Sequence, residues 1–145
     1  MFTFADARWR TAARRVAVPV IAAGTFLAMV STPASAGSWS YNLKTTDGHP
    51  GGQTWGTVSY TGNGCYTTRI RGTVKDIEAD GWGVIVLASG NGCNGGSSLG
   101  KEIGYIGGNG KSKNYDTGNI RNVKNVTVTV CLYKNGYAYH GCRDA

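Results

Sequence analysis

Beyond residue 36 the chain contains no Phe, no Met, one Pro, two His, two Glu and only four Ala. Those 109 residues hold 22 Gly, and no window of 11 keeps a helical period free of Gly and β-branched interruption. Because Gly in a helix interior costs about 1 kcal/mol relative to Ala, a helical bundle is excluded. The apolar run at residues 16–30 has 15 residues, short of the roughly 20 that a spanning helix needs, so no membrane span is expected in the mature form. No Cys-x-x-Cys spacing exists, which argues against a zinc site. No Gly-x-Ser-x-Gly elbow, Cys beside a His or phosphate loop is present either. A length of 145 residues leaves no room for a multidomain enzyme. A small exported β domain remains.

The N-terminus has the three parts of an export signal in order. Residues 1–15 are basic and end in Arg14-Arg15, residues 16–30 are apolar, and Thr32-Pro33-Ala34-Ser35-Ala36 supplies small residues at −3 and −1. Cleavage is expected after Ala36, giving a signal peptide over 1–36 and one domain over 37–145. The Arg pair alone, followed by Val16-Ala17-Val18, lacks the rest of a twin-arginine pattern. Without the leader, 11 basic and 7 acidic residues leave a formal net charge of +4. A secreted, extracellular protein is expected.

All four Cys lie after the leader, and an even count in an exported domain reads as two disulfides. Residues 66–75 and 82–89 read as strands, with 76–81 as the turn between them. Cys65 and Cys93 are each 14 residues from Ala79 at its centre, so a hairpin would bring them together at its open end. Cys131 and Cys142 flank a second hairpin signal, Asn135-Gly136, less symmetrically, so a bulge or a loop beyond the strand is required. The expected pairs are Cys65–Cys93 and Cys131–Cys142.

Strand signals recur near 38–44, 54–60, 66–75, 82–89, 101–106, 123–133 and 137–140, separated by clusters of Gly, Asn, Asp and Ser. In the clearest, Val126, Val128, Val130 and Leu132 alternate with Thr127, Thr129 and Cys131, one set on each face. Arg69 and Arg71 flank Ile70 and give that strand a wet face. The run Gly83-Val84-Ile85-Val86-Leu87-Ala88 is apolar on both faces and reads as a central strand. Residues 89–100 and 107–119 read as loops. About seven short strands predict an all-β fold, either a two-sheet sandwich or a small Greek-key barrel.

The stretch Arg71-Gly72-Thr73-Val74-Lys75-Asp76-Ile77-Glu78-Ala79-Asp80-Gly81 resembles the G-T-V-x-D-x-x-A-D-G hairpin of small secreted actinobacterial β proteins. The segments Val126-Thr127-Val128-Thr129-Val130-Cys131 and Gly141-Cys142-Arg143 are similar to the ending of those proteins. The resemblance covers about half of the mature chain. It implies secretion and a β fold, and it carries over no catalytic residue. Many such sequences place a Cys soon after the Asp-Gly turn. Here Trp82-Gly83 stands there, so the resemblance does not dictate the disulfide pattern.

Asp76-x-Glu78-x-Asp80-Gly81 matches the opening of a calcium loop, with oxygens at alternate positions and Gly at the sharp turn. The twelfth position is Leu87 rather than a bidentate Glu, so the competing reading is a polar turn. Asp76, Glu78 and Asp80 are therefore the candidate metal ligands, for Ca2+ alone, and no other cofactor is expected. The segment 93–98, Cys-Asn-Gly-Gly-Ser-Ser, resembles a calcium segment of βγ-crystallins but has Cys93 where an oxygen ligand belongs.

No catalytic residue is assigned. Glu102, His140 and Arg69 could serve a small ribonuclease if folding joined them, but nothing in their spacing requires it, and His49 lies 91 residues before His140. Aromatics carry the stronger signal: three Trp and eight Tyr follow the leader, and Trp39, Tyr41, Trp55, Tyr133, Tyr137 and Tyr139 fall on expected strands. Rings on a flat sheet face stack on sugar rings and also serve protein interfaces. The candidate ligand-binding residues are Tyr133, Tyr137, Tyr139 and Trp55, with Tyr137 and Tyr139 on one face. The densest basic stretch, Lys111, Lys113, Arg121 and Lys124, reads as a solvated face, and nucleic acid is not an expected partner. The sequence thus predicts a monomeric, non-enzymatic extracellular binding or structural protein, with a glycan, wall polymer or protein as partner. A carbohydrate-binding module, a small hydrolase, and a secreted inhibitor or antimicrobial protein are the alternatives.

Overall fold

Period-two patterning in 34–46 and 51–145, the residues described by the computed structural model, is realised as eight strands and no helix. They are β1 (Ser35–Lys44), β2 (Gly52–Asn63), β3 (Cys65–Asp76), β4 (Gly83–Gly92), β5 (Leu99–Gly107), β6 (Ser112–Asp116), β7 (Ile120–Tyr133) and β8 (His140–Asp144). Most of the expected leader, and His49, lie outside the described residues. Its last residues do not: Ser35 and Ala36 pair with Gly62 and Thr61 at the start of β1. Among the described residues no helix is long and apolar enough to cross a membrane.

All pairings are antiparallel, in the order β1-β2-β3-β7-β4-β5, with β6 on β3 and β8 on β7. One sheet face encloses the core. It contributes Tyr41 and Leu43, Val58, Ile70 and Val74, Val84, Val86 and Ala88, Tyr115, and Val128, Val130 and Leu132. The Val126–Leu132 alternation points inward as expected, and Ile70 is buried between the wetter Arg69 and Arg71. Val84, Ile85 and Val86 are all buried, so β4 is covered on both faces.

Three expectations need correction. First, 76–81 is not a hairpin turn: β7 lies between β3 and β4. The Cys65–Cys93 bond forms nonetheless. Val123 of β7 pairs with Tyr66 on one side and Gly92 on the other, so the disulfide bridges the two strands that flank β7. Two strand spacings would separate β3 from β4 by about 10 Å, yet the two Cys Cα atoms are 6.0 Å apart. The strands converge at this end, where Asn122 and Asn125 of β7 adopt left-handed backbone angles.

Second, residues 112–116, assigned to a loop, form β6 on the second half of β3. Only Tyr115 of this polar pentapeptide is buried, which leaves no period to read. Third, the last strand is 140–144 rather than 137–140. A two-residue turn at Asn135-Gly136 would set Cys131 opposite His140. In the observed register Val130 faces Arg143 and Thr129 faces Asp144, two residues further on, which brings Cys142 to Cys131. Residues 134–139 absorb the difference, together with a bulge between Val130 and Leu132. The Tyr137 N–H donates to the Lys134 carbonyl, and only Gly136 of the turn takes a positive φ.

Tyr takes the place of Phe in the core through an unusual notch. Gly56 and Gly72 face each other across β2 and β3, and the Tyr41 and Tyr115 hydroxyls lie over them. The two hydroxyls share a 2.6 Å hydrogen bond, and Tyr115 Oη meets Thr54 Oγ1 at 2.7 Å. Thr54 Oγ1 then donates to the Thr73 carbonyl, so the buried polar cluster is satisfied. Burial raises the pKa of both phenols.

β6 is held to β3 from outside as well. Asp116 accepts from Arg69 Nε at 2.8 Å and Nη2 at 2.5 Å, from Arg71 Nε at 3.1 Å and from the Gly118 N–H at 3.0 Å. The Arg69 hydrogen bonds, then the Gly118 amide, hold the Asp116 carboxyl well below its usual range. A depressed folded-state pKa contributes stability above the unfolded value of 3.8 and loses it as pH falls through the folded value. Asp116→Asn is thus expected to melt below the unsubstituted protein at about pH 7, with the gap closing in acid below about pH 3. Parallel thermal scans across pH check this, and solvent screening keeps the effect modest.

Candidate functional site

The outward residues at one end of β5, β4 and β7 are Tyr105, Gly83 and Ile85, and Cys131 and Tyr133, placed side by side by the register. Gly83 has no side chain, and the Tyr105 ring occupies that space: a Cβ at Gly83 would fall 2.7 Å from Tyr105 Cε2. Tyr105 thereby reaches Tyr133 edge-on, with ring centres 5.9 Å apart, and Tyr133 meets Tyr139 at 5.7 Å. Trp82, immediately before β4, packs against Tyr137 at 5.6 Å and His140 at 6.0 Å. The Lys134 ammonium stands 6.0 Å from the centre of the Trp82 ring and 5.7 Å from that of Tyr137, within cation–π range. Tyr137 is 61% exposed, Tyr139 50% and Tyr105 40%. The result is an aromatic patch of two neighbouring clusters, Tyr105–Tyr133–Tyr139 and Trp82–Tyr137–His140, the second resting on the core through Trp82, at a sheet end tied down by Cys131–Cys142.

Of the four expected ligand-binding residues, Tyr133, Tyr137 and Tyr139 come together here. Tyr137 and Tyr139 sit in the 134–139 connection rather than on a strand, so strand alternation does not place them on one face. Each is instead held by its own partner, Trp82 or Tyr133. Trp55 does not join them. It is 38% exposed on the outer face of β2, in a separate shallow depression with Arg71, Thr73 and Asn114. Trp82, Tyr105 and Lys134 are not among the expected site residues, and His140 is there only as a candidate for acid–base chemistry. No local pattern marks Tyr105, which reaches Tyr133 through the register that sets Gly83 between Gly107 and Tyr133.

The three candidate metal ligands have separate roles. Asp80 Oδ1 accepts the Trp82 N–H at 2.8 Å, closing a local turn. Glu78 is half-buried and forms no side-chain hydrogen bond among the described residues. Asp76 ends β3, is 1% exposed, and its Oδ2 accepts the Gly108 N–H at 2.8 Å. Its Oδ1 is buried with no partner of hydrogen-bonding geometry among the described residues. Burial raises the Asp76 pKa, the Gly108 amide opposes this, nearby Asp80 adds to the rise, and the Glu78 amide weakly opposes it. Among the described residues no group of three or more His, Cys, Asp or Glu stands close enough to hold a metal. Glu102, His140 and Arg69 share no hydrogen bond or ion pair, and the Arg69 guanidinium is engaged by Asp116.

No family model matches the chain, and no curated protein or solved structure matches it significantly. The fold and site define a disulfide-bonded, all-β domain with an aromatic patch at one end.

Proposed function

We propose that the protein acts outside the cell as a non-enzymatic binding module whose aromatic patch stacks on the sugar rings of a polymeric glycan. The observation that carries this reading is the gathering at one sheet end of two aromatic clusters, Tyr105–Tyr133–Tyr139 and Trp82–Tyr137, with three of the rings substantially open to solvent. Stacking a sugar face on such rings removes apolar area from water at about 25 cal/mol per Å². The rings are preorganised by contacts with one another, so little rotamer entropy is lost on binding. Two disulfides and the N-terminal export pattern support an extracellular setting.

Retention of the purified protein on insoluble chitin, cellulose and peptidoglycan tests the reading. Tyr137→Ala and Tyr139→Ala are each expected to weaken retention on the preferred polymer about tenfold, equivalent to about 1.4 kcal/mol. Trp55→Ala should leave it unchanged. Retention that is absent on all three polymers, or indifferent to the tyrosines, would refute the proposal.

A further inference from the structure

Beside the aromatic patch runs a groove of about 380 Å³, with Asp76, Glu78 and Asn109 on its walls next to Trp82 and Tyr105. Asp76 is the anomaly of this molecule. A buried carboxylate oxygen without a hydrogen-bond partner costs folding free energy, and each such atom in a native protein calls for an explanation. The backbone around it is tightly fixed: the Asp76 N–H donates to the Lys111 carbonyl, the Gly110 N–H donates to the Asp76 carbonyl, and the Ile77 N–H donates to the Gly51 carbonyl. Of the carboxylate, Oδ2 is held by the Gly108 N–H and the Glu78 amide bears only weakly on it, so a bound cation would supply the partner that Oδ1 lacks.

From this juxtaposition we infer that the groove is a calcium site, with the Asp76 and Glu78 carboxylates and the Asn109 side-chain amide oxygen as protein ligands. These donors are all hard oxygens, with no sulfur or imidazole among them, which selects an alkaline-earth ion over zinc or copper. Calcium accepts six to eight oxygens in irregular geometry and fills vacant positions with carbonyls and water. Magnesium demands a near-ideal octahedron that two loops of this kind do not prearrange. Asp80 of the expected trio is spent on the Trp82 N–H, and Asn109 of the facing loop takes its place. The ion would tie the β3–β4 connection to the β5–β6 loop and steady Trp82 and Tyr105 from beneath. The site stands whether or not the patch binds a glycan.

The experiment uses the full chain stripped with EDTA. In 10 mM CaCl2, with a dissociation constant of about 1 mM as in extracellular calcium modules, the melting temperature should rise by about 5–10 °C. An equal concentration of MgCl2 should give a much smaller rise. Terbium, which replaces calcium, should luminesce on indole excitation because Trp82 lies on the groove wall. Asp76→Asn, and independently Glu78→Gln, should abolish the calcium shift and the terbium signal. Trp82→Phe should lose the terbium signal but keep the calcium shift. No calcium shift in the unsubstituted protein overturns the proposal. So does a shift that survives in Asp76→Asn or, if that variant does not fold, in Glu78→Gln.

Discussion

Replacing Cys65 and Cys93 together by Ser is expected to lower the melting temperature by about 15–25 °C. The bond joins residues 28 apart, and restricting a loop of that length in the unfolded chain corresponds to about 3–4 kcal/mol. Its location adds a structural consequence. β3 and β7 are paired only at Tyr66–Val123 and Thr68–Ile120, after which β3 turns to β6. The disulfide straddles this short seam, so its loss also loosens the junction between the two halves of the sheet. Cys131→Ser with Cys142→Ser, across a separation of only 11 residues, should cost less, about 3 kcal/mol. Thermal scans of the two double variants check the order, and a larger loss from the second pair would contradict this account.

Gly72→Ala is expected to destabilise the protein by about 3–5 kcal/mol, although it adds one methyl group. That methyl would lie 2.5 Å from the Trp55 carbonyl oxygen and 2.5 Å from the Tyr115 hydroxyl. The carbonyl belongs to the β2–β3 ladder and cannot retreat without breaking it. Overpacking costs about 1–3 kcal/mol, and displacing the buried Tyr115 hydroxyl breaks its hydrogen bonds to Tyr41 and Thr54 at a further 1–3 kcal/mol. Gly100→Ala, in β5, is the control. An added Cβ there meets nothing within 4 Å, and the change should stay within about 0.5 kcal/mol. Urea denaturation of the two variants gives both numbers, and equal midpoints would refute the notch.

Much of the fold was legible in local pattern. Val126 to Leu132 announced a strand with one buried face, and residues 83–88 announced a strand buried on both. β6 was hidden because a strand with one inward side chain, Tyr115, has no period. The last hairpin was misread because Asn135-Gly136 is a strong local turn signal while the Cys131–Cys142 bond requires a register two residues away. The covalent and packing constraints prevailed, and the connection lengthened. Of the candidate site, Tyr133, Tyr137 and Tyr139 were readable because they crowd one stretch of chain. Trp82 and Tyr105 come from other strands, and only cross-strand register brings them in.

The sequence by itself determined the all-β class and the two-faced character of each clear strand, properties that reside in period and in glycine content. The expected cysteine pairs are the observed ones, but Cys65–Cys93 forms across β7 and not at the open end of a β3–β4 hairpin. Only the tertiary structure decided that β7 separates β3 from β4, that Trp55 stands apart from the tyrosines, and that Asp76 lies buried beside a groove. The physical reason is that a strand's faces follow from its own residues, whereas its neighbours are chosen by which arrangement of all the strands best encloses their shared apolar face.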